Sequence, residues 1–505
     1  MPQSYIKKIL DARVYDVARE TPIDHARLLS ARLDNRVLLK REDLQPVFSF
    51  KLRGAYNKMY HLSQAERARG VIAASAGNHA QGLALAANHM GVKATIVMPR
   101  TTPGIKVDGV RSHGARVLLH GDTFDEASDY AQQLVEEKGL VYVHPYDDPW
   151  VIAGQGTIGM EIVRQHPDPI EAIFVPVGGG GLLAGVAAYV KYVRPEIKLI
   201  GVEPEDAACL AAALERGRRV TLPEVGLFAD GVAVAQIGKE TFRVIRDTVD
   251  AVVTVSTDEM CAAIKDIFED TRSIAEPAGA LALAGLKKYV EQKRLSGKTL
   301  LAIDSGANTN FDRLRYISER TEIGEKREAV LSVTIPEQPG SFKAFCSALG
   351  KRSITEFNYR YADDREAHIF VGLQIAEGVE SRKSVIAGLR DKGYPVVDLT
   401  ENEMAKLHIR HMVGGRAPDS VANEMVFRVE FPERPGALLN FLTHLGQRWN
   451  ISMFHYRSHG AAYGRVLVGL QVEPAERKEL AAVLEGIHYR FAEETDNRAY
   501  QLYLS

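Results

Sequence analysis

Lys51 lies in the heptapeptide Ser49-Phe50-Lys51-Leu52-Arg53-Gly54-Ala55, just inside a helix-like segment and between the apolar side chains of Phe50 and Leu52. A lysine so placed loses hydration, burial disfavours its charged form, and its pKa falls. A neutral amine can form a Schiff base with a carbonyl compound. Most lysines are solvated surface charges, so the assignment depends on what else the chain offers. Val177-Gly178-Gly179-Gly180-Gly181-Leu182 follows one apolar run and opens a helix from about Leu182 to Tyr192. Consecutive glycines let backbone N–H groups approach an anion without Cβ obstruction, and the helix N-terminus favours negative charge. No Gly-Lys-Ser/Thr follows, which excludes a Walker P-loop. A dinucleotide fingerprint stays open, because Gly179, Gly181 and Ala184 fit it and Glu203 ends the next run.

Two further turns carry polar groups. Ser75-Ala76-Gly77-Asn78-His79 follows Val71-Ile72-Ala73-Ala74 and presents backbone donors at a helix start, suited to a carboxylate or to an ordinary cap. His79 fits a structural partner better than a catalytic base. Asp304-Ser305-Gly306-Ala307-Asn308 ends the last apolar run, where a hydroxyl points into the crevice that α/β proteins give to ligands. Two anion sites, a Schiff-base lysine and a cleft hydroxyl form one set. Pyridoxal phosphate has a phosphate, an aldehyde and a ring nitrogen, each needing such a partner. A dehydrogenase would leave the setting of Lys51 and the Ser75–His79 turn without a task.

These residues need a scaffold of parallel strands. Between about residues 36 and 305, runs such as Ala94–Met98, Arg116–Leu119, Ile173–Val177, Leu199–Val202, Val252–Val255 and Leu300–Ile303 alternate with helix-length segments. Several are apolar throughout, as for parallel strands covered on both faces. About eight strands predict an α/β architecture of two lobes with a cleft, the alternative being a (β/α)8 barrel. The 505 residues leave room for about three domains. A net charge of −2 with dispersed Lys and Arg gives no footprint for nucleic acid. The N-terminus lacks a secretory apolar region and no run reaches membrane-span length. Cys209, Cys261 and Cys346 stand far apart in apolar contexts and read as buried free thiols of a cytoplasmic protein. No Cys/His spacing suits a metal.

After about residue 320 the charged stretch Ser318–Glu328 reads as a linker, and an internal repeat of about 96 residues follows. Val333-Thr334-Ile335-Pro336-Glu337-Gln338-Pro339-Gly340-Ser341 matches Val429-Glu430-Phe431-Pro432-Glu433-Arg434-Pro435-Gly436-Ala437. Phe345, Leu349 and Gly350 match Phe441, Leu445 and Gly446, and Phe357–Arg360 matches Phe454–Arg457 after a one-residue slip. Each copy predicts a βαββαβ ferredoxin-like unit. The join Met412–Pro418 is glycine-rich and predicts a loop.

The four motifs together, with Arg41-Glu42-Asp43 and Ala275-Glu276-Pro277-Ala278-Gly279-Ala280, resemble the fold-type II pyridoxal-phosphate enzymes, and among them the biosynthetic threonine deaminase (threonine ammonia-lyase) family. The resemblance covers nearly the whole chain. It implies a two-lobed catalytic domain over 1–320 and two α+β, ACT-like regulatory domains over 329–400 and 423–494. It implies pyridoxal 5′-phosphate joined to Lys51 beside Phe50, with Asn78 at its 3′-oxygen. Gly178, Gly179, Gly180, Gly181 and Leu182 would hold its phosphate and Ser305 would face its ring nitrogen. Ser75, Ala76, Gly77, Asn78 and His79 would take the substrate carboxylate. Related serine racemases carry a serine at the position of Ala76, so its absence favours elimination over racemisation. The implied reaction is L-threonine to 2-oxobutanoate and ammonia in isoleucine biosynthesis, with inhibition by isoleucine, relief by valine and a homotetrameric assembly. Tyr359 and Tyr456, equivalent in the two copies, are the effector candidates, with core or interface aromatics as their other reading. Serine dehydratase activity is the near alternative; a nucleotide-linked oxidoreductase and a non-catalytic amino-acid sensor are remote ones.

Overall fold

The computed structural model describes residues 3–350, 352–362, 364–376, 381–432, 437–445, 448–457, 463–487 and 489–505. The chain divides into two compact units, Met1–Gly324 and Glu325–Ser505. The strands of the first are β1 (Ile23–His25), β2 (Arg36–Arg41), β3 (Val71–Ala74), β4 (Ala94–Met98), β5 (Arg116–Leu119), β6 (Val141–Tyr142), β7 (Ala172–Pro176), β8 (Lys198–Pro204), β9 (Ala251–Val255) and β10 (Thr299–Asp304). They form a six-stranded sheet in the order β1-β2-β10-β7-β8-β9 and a four-stranded sheet in the order β5-β4-β3-β6. Every pairing is parallel except that of β1 with β2. Two open sheets rather than a closed barrel make the two lobes.

Residues of β3 and β7 are buried along their whole length, which explains their uniformly apolar sequence. The Ser75, Gly178 and Ser305 turns each leave the carboxyl end of a parallel strand, where such sheets place ligands. The Lys51–Tyr60 helix is set by close backbone contact. A Cβ on Gly154, in the helix Pro149–Gln165, would lie 2.7 Å from the Arg53 carbonyl oxygen. A Cβ on Gly82, in the helix Asn78–Met90, would lie 2.9 Å from the Leu52 backbone.

Ser318–Glu328 is not a linker. A helix spans Arg313–Gly324, running through residue 320, and only three residues separate it from the strand that begins at Glu328. Its charges mislead because the helix buries Ile317, Thr321 and Ile323, while Arg320 is itself buried, its Nη1 2.8 Å from Asp258.

The second unit has the strands β11 (Glu328–Pro336), β12 (Ile354–Arg360), β13 (Glu366–Gln374), β14 (Val396–Asp398), β15 (Glu424–Pro432), β16 (Asn450–Arg457), β17 (Tyr463–Gln471) and β18 (Arg490–Glu493). With the helices Ser341–Leu349, Arg382–Asp391, Ala437–Leu445 and Arg477–Gly486 they give two βαββαβ copies. Glu433, Arg434, Pro435, Gly436 and Gly446 of the repeat lie outside the described residues. The copies share one sheet, β14-β11-β13-β12-β16-β17-β15-β18, joined by antiparallel pairing of β12 with β16. There Tyr359 stands opposite Phe454 and Tyr456 opposite Phe357, and both tyrosines are buried in the core. The Tyr359 hydroxyl donates to Glu337. Among the described residues no helix is long and apolar enough to cross a membrane. All three cysteines are free and buried.

Candidate active site

Lys51 is the first residue of its helix, and the loop before it is stitched to the end of β10. Ser49 bridges Gly306, Phe50 N–H donates to the Ser305 carbonyl at 3.3 Å, and Ala307 N–H donates to the Phe48 carbonyl at 2.9 Å. Phe48 holds this turn at φ +54, a left-handed conformation that a non-glycine residue keeps only when its surroundings demand it. The Lys51 amine lies 5.7 Å from the centre of the Phe50 ring. Burial lowers its pKa to about 8, with the Glu276 carboxylate acting in the opposite direction.

Around the lysine the other motifs form a connected ring. Ser305 Oγ donates to the Ala278 carbonyl at 3.2 Å. Two residues before Ala278, Glu276 Oε1 accepts from Asn78 Nδ2 at 2.5 Å. Asn308 Nδ2 donates to Asn78 Oδ1 at 2.7 Å and to the Val47 carbonyl at 2.8 Å, which fixes the orientation of the Asn78 amide. A Cβ on Gly77 would meet nothing within 4 Å, so this turn faces open space. His79 points away to the Val143 carbonyl at 2.8 Å, and burial brings its pKa down to about 3, aided by the Lys51 charge. A neutral ring bonded to a carbonyl is a structural partner of the turn.

The glycine loop closes the ring. Gly178 is so near the turn Asp230–Val232 that its Cβ would lie 2.9 Å from Val232 Cα, and the Tyr146 ring covers Gly179 at 2.2 Å from an ideal Cβ. The loop's carbonyls are engaged: Gly179 accepts from Thr241 Oγ1 at 2.7 Å and Gly238 N–H at 3.2 Å, and Gly180 from Ala184 N–H at 2.9 Å. What remains for a ligand is the N–H side of the loop and the N-terminus of the helix Gly181–Val193, a fitting cradle for phosphate. Gly180 sits at φ +89 with Ile237 and Ile245 each 2.8 Å from an added Cβ. Gly180→Ala is expected to cost about 1–3 kcal/mol in this strained, crowded position. A lower melting temperature and faster loss of bound cofactor on dialysis would register it.

Sequence reading assigned no role to Glu276 or Asn308, although both lie within motifs it singled out. The available signal was an acid directly before a proline at the start of an apolar helix, Glu276-Pro277.

A family model described as pyridoxal-phosphate dependent enzyme matches residues 14–306. A model described as the C-terminal regulatory domain of threonine dehydratase matches twice, over 319–409 and 415–504. A biosynthetic L-threonine dehydratase of Burkholderia multivorans is 59% identical over 504 residues, 99% of either chain. The chain belongs to the biosynthetic threonine dehydratase family. The family's enzyme of Escherichia coli is 54% identical, over 99% of this chain and 97% of its own. Among solved structures, the processed form of threonine deaminase isoform 2 from Solanum lycopersicum is 51% identical, with a TM-score of 0.62 over 63% of this chain and 93% of that one. Maize serine racemase is 32% identical, with a TM-score of 0.58 over 62% of this chain and 95% of its own. The cofactor of the family is pyridoxal phosphate, and the residues present fit it: a lysine with a lowered pKa, a glycine cradle at a helix N-terminus, an oriented amide and a neutral hydroxyl.

Proposed function

We propose that this chain deaminates L-threonine to 2-oxobutanoate and ammonia by β-elimination, in the biosynthesis of isoleucine. The observation that carries the reading is 59% identity to a biosynthetic threonine dehydratase along 99% of the chain. Bound pyridoxal phosphate supplies an electron sink for the α-carbon of an amino acid joined to it. The chain's own residues bind, orient and move the proton. Gly178, Gly179, Gly180, Gly181 and Leu182 hold the phosphate with N–H groups and the helix N-terminus. Asn78 donates to the 3′-oxygen, Phe50 lies beside the ring, and Ser305 faces the ring nitrogen with an uncharged hydroxyl. The backbone of Ser75, Ala76, Gly77, Asn78 and His79 receives the substrate carboxylate. Lys51 removes the α-proton, and its pKa of about 8 leaves an appreciable neutral fraction near neutral pH. Departure of the β-hydroxyl as water and hydrolysis of the resulting imine complete the balance. Ala76 has no hydroxyl to return a proton from the opposite face, which favours elimination. L-Serine, lacking only the methyl group, is the expected second substrate.

The duplicated C-terminal unit supports control by a pathway product, with isoleucine inhibiting and valine relieving a cytoplasmic homotetramer. An effector acts by binding two conformations unequally, and Tyr359 and Tyr456 stand where the two copies pair. Threonine turnover measured with and without isoleucine tests both halves of the reading. Full-length protein should turn over threonine and be inhibited; a chain ending at Gly324 should keep turnover and lose the inhibition. Inhibition retained by the shortened chain would remove the C-terminal unit from the account.

A further inference from the structure

An ion pair outside the ring of site residues spans the two lobes. Lys106 belongs to the helix Gly104–Ser112, which follows β4 of the smaller sheet; Asp230 belongs to the short turn Asp230–Val232, packed on the helix Pro277–Lys293 of the larger. Lys106 Nζ donates to Asp230 Oδ2, and both side chains keep partial access to solvent. Arg313 holds the turn from the other side, with Nη1 3.7 Å from Asp230 Oδ1 and 3.0 Å from the Phe228 carbonyl oxygen. The next residue, Gly231, reaches the site itself. Its Cβ would lie 3.6 Å from Glu276 Oε1 and 3.8 Å from Asn78 Nδ2.

We propose that Glu276 is a positioning residue for the reaction, clamping the Asn78 amide, and that the Lys106–Asp230 pair between the lobes tunes the charge on Glu276. The inference rests on the reading that Asn78 contacts the cofactor. Asn78 has its carbonyl taken by Asn308 and one N–H by Glu276, so its second N–H is the one left to offer. An ionised Glu276 is a strong, fixed acceptor; a protonated one is a weaker acceptor and a competing donor.

The charged groups around Glu276 come from separate elements: Asp230 from the turn, Lys106 from the small-lobe helix, Lys51 from its own helix and Asp304 from the end of β10. Burial and, next, the Asp230 carboxylate raise the Glu276 pKa to about 7, against the lowering by the Asn78 bond, Lys106 and Lys51. In the ion pair Lys106 offsets Asp230 and favours the ionised form of Glu276. Without Lys106, Asp230 keeps Arg313 beside it, yet its carboxylate weighs more heavily on Glu276 and favours the protonated form. The ion pair is thereby coupled to the charge of Glu276 and to a firmer Asn78.

Lys106→Gln and Asp230→Asn break the same ion pair, yet the electrostatics requires opposite effects. Full-length apoenzyme gives the first measurement, the pH titration of the protonated-carboxyl infrared band assigned to Glu276 by its loss in Glu276→Gln. Lys106→Gln should move the midpoint up, and Asp230→Asn down, each by about half a pH unit or more. In the holoenzyme the acid limb of kcat/KM should move in the same two directions and flatten in Glu276→Gln. Shifts of the same sign, or none, would overturn the proposal, as would an acid limb unchanged in Glu276→Gln. Opposite shifts in the apoenzyme without any change in the holoenzyme's visible absorbance would uphold the charge coupling and locate the error in the Asn78–cofactor contact.

Discussion

Lys51→Ala is expected to abolish threonine turnover, by at least about 10⁴-fold, because it removes both the covalent anchor and the general base. The purified variant should also lack the visible absorbance of lysine-bound cofactor. Alanine is a good helix former, so the Lys51–Tyr60 helix should persist and the loss should be chemical rather than structural. Lys51→Arg sharpens the test. It keeps a cation and most of the bulk, but a guanidinium stays protonated and cannot form the Schiff base. Both variants should therefore fail alike, whereas a role confined to charge would spare Lys51→Arg. Normal turnover in Lys51→Ala would sink the assignment of the base.

What was legible in the sequence is what depends on neighbours along the chain. Val71–Ala74 and Ile173–Val177 read as parallel strands because every position is apolar, and the strands Val71–Ala74 and Ala172–Pro176 are indeed covered on both faces. β2 was harder, since Lys40 and Arg41 are charged residues that the fold buries; β6 has only two residues, Val141 and Tyr142. The Arg313–Gly324 helix was misread for a related reason: a charged stretch normally faces water, and here Arg320 is buried against Asp258. The site divides along the same line. Lys51 and the glycine loop carry their chemistry in consecutive residues. Glu276 and Asn308 acquire theirs from Asn78, which is 198 and 230 residues away in the chain. Such pairings exist only after β3, β10 and the helix Pro277–Lys293 have been brought together. The repeat was visible as matching motifs, but the pairing of β12 with β16 that fuses its copies left no local mark.

The same burial of charge yields the second large effect. Two residues beyond Lys51, Arg53 is completely buried between two carboxylates. Its Nε and Nη2 each lie 2.8 Å from Glu42, its Nη1 lies 2.5 Å from Glu161 Oε1, and Lys40 Nζ lies 2.6 Å from Glu161 Oε2. Thr21 and Gln45 donate to Glu42, Tyr15 donates to Glu161, and Thr157, Gln165 and the carbonyls of Arg19 and Thr21 accept from the two cations. Two cations and two carboxylates are thus neutral as a set, and they tie the Lys51 helix to β2 and to the helix Pro149–Gln165. Arg53→Met should leave Glu42 and Glu161 sharing only Lys40. Stranding a buried charge in this way costs about 3–5 kcal/mol, far beyond the worth of a surface ion pair. The denaturant midpoint of the catalytic unit should fall accordingly. Adding Glu161→Gln to Arg53→Met removes one stranded charge, so the double variant should be less destabilised than the two single losses summed. Strict additivity, or a loss below about 1 kcal/mol in Arg53→Met, would show that the four charges do not act as a unit beneath Lys51.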